Sequence, residues 1–185
     1  MITVNDLRGG TVFTDHGEPF IVVKYTHTKM GRGNAVIRIK AKNLKTGGTL
    51  EKTFMSGAAV EEADVEKVKC QYLYTDNEGV HFMDNASFEQ ITFPREKLEW
   101  ELNFLKEGLE VYLLMIEGKP ATVDLPPNVA LTVKETEPGY KGDSATTVQK
   151  PATMETGFSV NVPLFVKEND RIKVDTRSGE YVERA

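Results

Sequence analysis

"FLKEGLEVYLLMIEG", residues 104–118, and "FVKENDRIKVDTRSG", residues 165–179, follow one pattern. When Phe104 is laid on Phe165, the Lys-Glu pair, an aliphatic residue (Val111 and Ile172) and a closing glycine (Gly118 and Gly179) coincide. Units of that spacing fill the 185 residues about three times over. "DLPPN", residues 124–128, is a stiff break before the last unit, because proline fixes φ and cannot continue a ladder. A chance likeness of two amphipathic strand pairs is the plain alternative. The pattern favours three small β-domains, 1–64, 65–127 and 128–185. Domains near 60 residues bury little surface, so the first two are expected to pack together. The last is expected to fold alone, with marginal stability.

The remaining pattern is mostly β. "TVFTD" (11–15), "EPFIVVKYT" (18–26), "AVIRIKAK" (35–42), "CQYLYTD" (70–76), "VHFMD" (80–84), "LEVYLLMI" (109–116), "VALTVKET" (129–136), "FSVNVPLFV" (158–166) and "RIKVDT" (171–176) read as strands. Gly- and Asp-rich turns such as "DHGE", "DNEG", "EGKP" and "RSGE" separate them. Helices are expected over 57–67, and over 94–108 between Pro94 and Gly108. So many strands and so few helices favour barrels or sandwiches.

Charge is unevenly placed. The net charge is −5, yet no acid stands between Glu18 and Glu51, where Lys24, Lys29, Arg32, Arg38, Lys40, Lys42 and Lys45 lie. Within "AVIRIKAK", Ile37, Ile39 and Ala41 alternate with Arg38, Lys40 and Lys42, so one strand face is apolar and the other cationic. "KMGRGN", residues 29–34, joins this strand to the one before it. Gly31 and Gly33 permit a tight tip around Arg32. Such a lobe suits local contact with phosphate, and an acidic remainder disfavours bulk adhesion to nucleic acid. A solvated strand face is the bland reading of the same residues.

Other chemistry has little footing. His16, His27 and His81 are scattered, and Cys70 has no partner at metal-ligand spacing. No nucleophile elbow, zinc-protease motif or phosphate-binding loop occurs, and "GRGNAV" has Val36 where a dinucleotide fingerprint needs glycine. No enzyme activity, metal or cofactor is expected. A single cysteine fits a reducing cytoplasm, and no apolar run approaches a membrane span.

The chain resembles the bacterial translation elongation factor P family from end to end. "KMGRGNA" is similar to the family's tip loop, and "FMDNASFEQI" and "LPPNVALTV" to its middle stretches. Lys150, Ala152, Gly157, Val160, Val162, Pro163 and Val166 fall at the spacings of its C-terminal signature, with "IKVDTRSGEYVER" following. Asn169 stands where a glycine is usual. The resemblance implies a mainly β fold: an SH3-like (KOW-type) domain and two OB-folds, in an L similar to tRNA. It implies a monomeric, cytoplasmic translation factor that binds the ribosome between the peptidyl-tRNA and exit sites and relieves stalling at consecutive prolines. Lys29, Gly31, Arg32, Gly33 and Asn34 would then reach the acceptor end of the peptidyl-tRNA. Arg38, Lys40 and Lys42 would meet RNA phosphates, ribosomal RNA included. Gly142, Asp143, Ser144, Tyr181 and Arg184 would meet the small subunit, tRNA or mRNA.

Two departures qualify this. Many members carry a tip lysine extended by a β-lysyl group; here the tip is Arg32, with Met30 where proline is common. A guanidinium is a poor nucleophile at neutral pH, so the open choices are rhamnosylation by a modifying enzyme or an unmodified tip. "GDSAT", residues 142–146, differs from the usual loop in having Thr146 for a glycine. Two other readings stay open: an elongation factor P-like paralogue, and a tandem OB-fold RNA-binding protein. The second would need aromatic platforms in a basic groove.

Overall fold

In the computed structural model, which describes residues 1–28, 35–139 and 148–185, strands are the main regular structure. These are β1 (Ile2–Thr3), β2 (Val12–Asp15), β3 (Glu18–Thr28), β4 (Val36–Asn43), β5 (Thr49–Met55), β6 (Ala59–Glu62), β7 (Glu66–Thr75), β8 (Val80–Asp84), β9 (Gln90–Phe93), β10 (Glu110–Ile116), β11 (Lys119–Asp124), β12 (Asn128–Thr136), β13 (Gln149–Met154), β14 (Ser159–Pro163), β15 (Arg171–Asp175) and β16 (Tyr181–Arg184). They form three sheets, ordered β1-β6-β2-β3-β4-β5, β11-β10-β7-β8-β9 and β14-β13-β12-β15-β16. Numbered within each sheet, the second and third follow one order: fifth, fourth, first, second, third strand for the second, and third, second, first, fourth, fifth for the other. Read from opposite edges, each has its first strand at the centre, flanked by its second and fourth. The repeat seen in the sequence matches this, because "LEVYLLMI" and "RIKVDT" are each the fourth strand. Val111 and Ile172 are both buried, and Gly118 and Gly179 both take left-handed φ, 72° and 74°.

The helix expected over 57–67 is absent. Those residues form β6 and the approach to β7. Val60 is buried and pairs with Ile2, while Glu61 and Glu62 pair with Thr14 and Phe13. Ladder partners outweigh the local preference of an Ala/Glu-rich run. The helix expected over 94–108 is reduced to two 3-10 turns, Arg95–Lys97 and Glu101–Asn103. One helical bond remains, from Leu102 N–H to the Leu98 carbonyl. Leu98, Phe104 and Leu105 of this stretch are all buried, Phe104 in the core of the last sheet.

Contacts divide the chain into two units. One holds Met1–Lys69 and Tyr112–Asp124. Its main core is Val4, Leu7, Phe13, Phe20, Val22, Ile37, Ile39, Ala41 and Val60. A second cluster joins Val12 and Leu44 to Leu114, with Ile21, Ile116 and Ala121 at its border. The strands before Lys69 and the β10–β11 hairpin thus share apolar surface.

The other unit holds Cys70–Val111 and Leu125–Ala185. Its largest core contains Val129, Leu131, Val133, Ala152, Met154, Val160, Val162, Val166, Ile172 and Val174, and also Phe104. Trp100, Phe104 and Phe158 stack edge to face, at 5.3 to 5.8 Å between centroids. Trp100 Nε1 donates to the Thr176 carbonyl (2.8 Å), and Thr156 Oγ1 donates to that of Asn103 (2.7 Å). Gly179 seats the indole: a Cβ there would lie 2.9 Å from Phe158 and 3.1 Å from Trp100. Phe104, from outside residues 128–185, thus contributes to the last core. Asn169 has φ 67°, a left-handed conformation that asparagine tolerates better than most residues.

Phe104→Ala removes a fully buried ring from that core. The expected loss is about 3–5 kcal/mol, read by urea unfolding of the full chain. An unchanged midpoint would mean the ring contributes no closure.

Candidate nucleic-acid interface

The basic strand face is assembled by register. β3 and β4 place Lys24 opposite Lys40 and Thr26 opposite Arg38. β4 and β5 place Arg38 opposite Thr53, Lys40 opposite Glu51 and Lys42 opposite Thr49. Directly paired residues share a face. Ile37, Ile39 and Ala41 are buried beneath, while Arg38 and Lys40 are exposed and Lys42 is half-buried. The sequence alternation is realised as a cationic surface over a closed core.

Lys24 is the residue whose place sequence reasoning missed. Phe20 and Val22 face the core, so strict alternation would turn position 24 inward as well. A bulge between Val22 and Lys24 inserts one residue and turns Lys24 outward. It then sits directly across from Lys40, a like-charge pair that destabilises a sheet. The register also sets an acid on this face, Glu51, on the other side of Lys40. That glutamate corrects one inference: a segment without acids in sequence is not a surface without acids.

β3 and β4 pair as far as Thr28 and Val36, with Met55 of β5 alongside. Lys29, Gly31, Arg32, Gly33 and Asn34, expected at the tip, lie outside the described residues, as do Gly142, Asp143 and Ser144. At the near root of the second segment, a Cβ on Gly139 would fall 2.4 Å from the Leu164 carbonyl oxygen, so the close approach requires glycine.

Tyr181 and Arg184 share β16. The Tyr181 ring packs at the edge of the last core. Arg184 Nη2 donates to Asp170 Oδ2 (3.0 Å) and the Phe165 carbonyl (3.3 Å), and its guanidinium lies 4.9 Å from the Phe165 ring centroid. The Lys167 backbone N–H, and then Arg184, hold the Asp170 carboxyl below its ordinary range. Its native contacts therefore contribute above the unfolded carboxylate value of about 3.9 and fade as pH falls through the lowered one.

Burial, and then the charge of Asp84, push the Cys70 thiol up to about 11, so it is no nucleophile near neutral pH. His81 is buried, with Nε2 against Asp76 (2.8 Å) and Nδ1 against Thr92 (2.9 Å) and Gln90 (2.8 Å), which is a satisfied core histidine. Among the described residues, no group of His, Cys, Asp and Glu is placed to hold a metal ion, and no helix is long and apolar enough to cross a membrane.

Three family profiles match in order: "Elongation factor P (EF-P) KOW-like domain" over residues 3–60, "Elongation factor P (EF-P) OB domain" over 65–123, and "Elongation factor P, C-terminal" over 129–184. The chain is 43% identical to a protein of Moorella thermoacetica named elongation factor P, over 100% of both chains. Among solved structures it is similar to "Eukaryotic translation initiation factor 5A from Methanococcus jannaschii" (22% identity, 67% of this chain, 91% of that one, TM-score 0.45). It is also similar to a translation initiation factor eif-5a family protein from Naegleria fowleri (18% identity, 67% and 96%, TM-score 0.39). Neither structural likeness is close enough to bear on mechanism.

Lys40→Glu with Lys42→Glu is expected to weaken association with ribosomes and to flatten its salt dependence, the slope falling by roughly one for each phosphate no longer neutralised. Glu51→Gln is expected to do the reverse. Binding measured from low to moderate salt decides; identical slopes for all three proteins would mean the face does not meet phosphate.

Proposed function

The chain belongs to the elongation factor P family and is a translation elongation factor, and from that premise we propose that it binds the ribosome beside the peptidyl-tRNA and relieves stalling at consecutive prolines. The observation that carries this is the opposed Lys24–Lys40 pair on the strands that lead into Lys29–Asn34. Like charges held face to face are unfavourable in the free protein and are relieved by an intervening phosphate. Arg38, Lys40 and Lys42 then follow the RNA backbone, ribosomal RNA and the acceptor arm alike. Arg32, between Gly31 and Gly33, meets the terminal phosphates and sugars with a fork of donors.

Proline is a constrained donor and nucleophile, and its reaction suffers when orientation is lost. A cation and backbone donors against the tRNA end restore the reactive pose, which is catalysis by positioning with the ribosome as the enzyme. The protein itself needs no reactive group. Gly142, Asp143, Ser144, Tyr181 and Arg184 serve the small-subunit end. The domain reading of 1–64, 65–127 and 128–185 is supported by the three profile matches, each of which falls inside one segment. The factor acts as a cytoplasmic monomer, and Arg32 is the position where a modifying enzyme would act.

Arg32→Ala is expected to slow proline–proline bond formation in a reconstituted reaction by about tenfold or more, while ribosome affinity changes less than about threefold. Equal losses in both, or in neither, would count against positioning. Intact mass of the purified native protein separates the two states of the tip: the bare chain, or the chain plus one deoxyhexose that maps to Arg32.

A further inference from the structure

The turn between β8 and β9 carries a phenylalanine in a conformation that suits glycine. Phe88 has φ 60° and is 74% exposed. A bulky residue is strained there, and an exposed ring gains nothing from burial. The turn does not need the ring. Asp84 Oδ1 accepts from the N–H of Ala86 (2.7 Å) and Ser87 (3.3 Å). The Asp84 carbonyl accepts from Phe88 N–H, and Asp84 N–H donates to the Glu89 carbonyl, both at 2.9 Å.

The β15–β16 turn repeats this arrangement. "DNASFE" (84–89) and "DTRSGE" (175–180) align residue for residue. Asp175 Oδ1 accepts from Arg177 (2.7 Å) and Ser178 (3.0 Å), its carbonyl accepts from Gly179 (2.8 Å), and its N–H donates to the Glu180 carbonyl (2.9 Å). Gly179, at φ 74°, takes the place of Phe88. In that turn the rings of Trp100 and Phe158 cover the glycine. In the β8–β9 turn the ring belongs to the turn itself and has no aromatic partner among the described residues. One backbone design thus appears once with a glycine under aromatic cover and once with an uncovered aromatic.

We propose that Phe88 is a docking knob that seats in an apolar pocket of a partner protein with a basic rim. The charge beside it selects that occupant. Asp84 and Glu89 belong to the turn, and Asn85 Nδ2 reaches Glu110 Oε1 at 3.4 Å. Hydrogen bonds from Ala86 and then Ser87 keep the Asp84 carboxyl below its ordinary range, so it is charged at neutral pH. Carboxylates repel phosphate and complement lysine and arginine, which disfavours RNA at this turn. The inference rests on the ribosomal reading under Proposed function, and the partner is a basic protein of the ribosome.

The test places a photoreactive benzophenone side chain at position 88 of the full chain, and in a second sample at position 38. Each is irradiated with purified ribosomes. The expected adduct from position 88 is with a ribosomal protein, in a Lys/Arg-rich segment. An adduct with RNA instead would overturn the assignment. No adduct from position 88, while position 38 still links to RNA, would overturn the knob and leave the ribosomal reading standing. No adduct from either would sink both. In parallel, Phe88→Gly is expected to raise Tm, because the turn relaxes, and to weaken ribosome binding about tenfold. A glycine variant that binds like the parent would reject the proposal.

Discussion

Phe104 lies inside the middle segment, between β9 and β10, and packs in the core of the last one. A β-domain of about 60 residues buries too little surface to be secure alone. The chain meets that constraint by lending residues across segment boundaries. Phe104 enters the last core, Trp100 lies on Gly179, and Lys106 donates through Nζ to the Ala130 carbonyl (2.6 Å). In the other unit, Leu114 of β10 packs with Val12 and Leu44. The contact-defined units therefore cut through the middle segment and do not follow the sequence repeat.

That stability is what permits an unfavourable surface. Lys24 against Lys40 is a repulsive cross-strand pair, to which Arg38 adds and which Glu51, opposite Lys40 on its other side, offsets in part. Ile37, Ile39 and Ala41 hold the same strand from below. The apolar face fixes register, since a one-residue slip would bury the cations. The same strand is thus anchored by one face and available through the other.

The two Asp-led turns illustrate a related division. Side-chain oxygens of Asp84 and Asp175 accept from backbone N–H groups of their turns, so the same turn forms with phenylalanine or with glycine at its left-handed position. That residue is free to serve packing, as Gly179 does beneath Trp100, or to be presented to solvent, as Phe88 is.

Local periodicity was enough to establish most strands, the cationic face of β4, and the equivalence of β10 and β15. These follow from the side-chain period of two and from turn residues, which are properties of a few neighbours. Strands β1, β5, β6, β9, β11, β13 and β16 were not legible, because each is short or weakly patterned and its pairing partner supplies the ladder. The side taken by Lys24 depended on a bulge, the acid beside Lys40 on the β4–β5 register, and the fate of residues 94–108 on where Trp100 and Phe104 find cover. Each of these is a contact between residues distant in sequence. Tertiary structure decided them because burial and ladder pairing outweigh the fraction of a kcal/mol per residue by which propensity separates helix from strand.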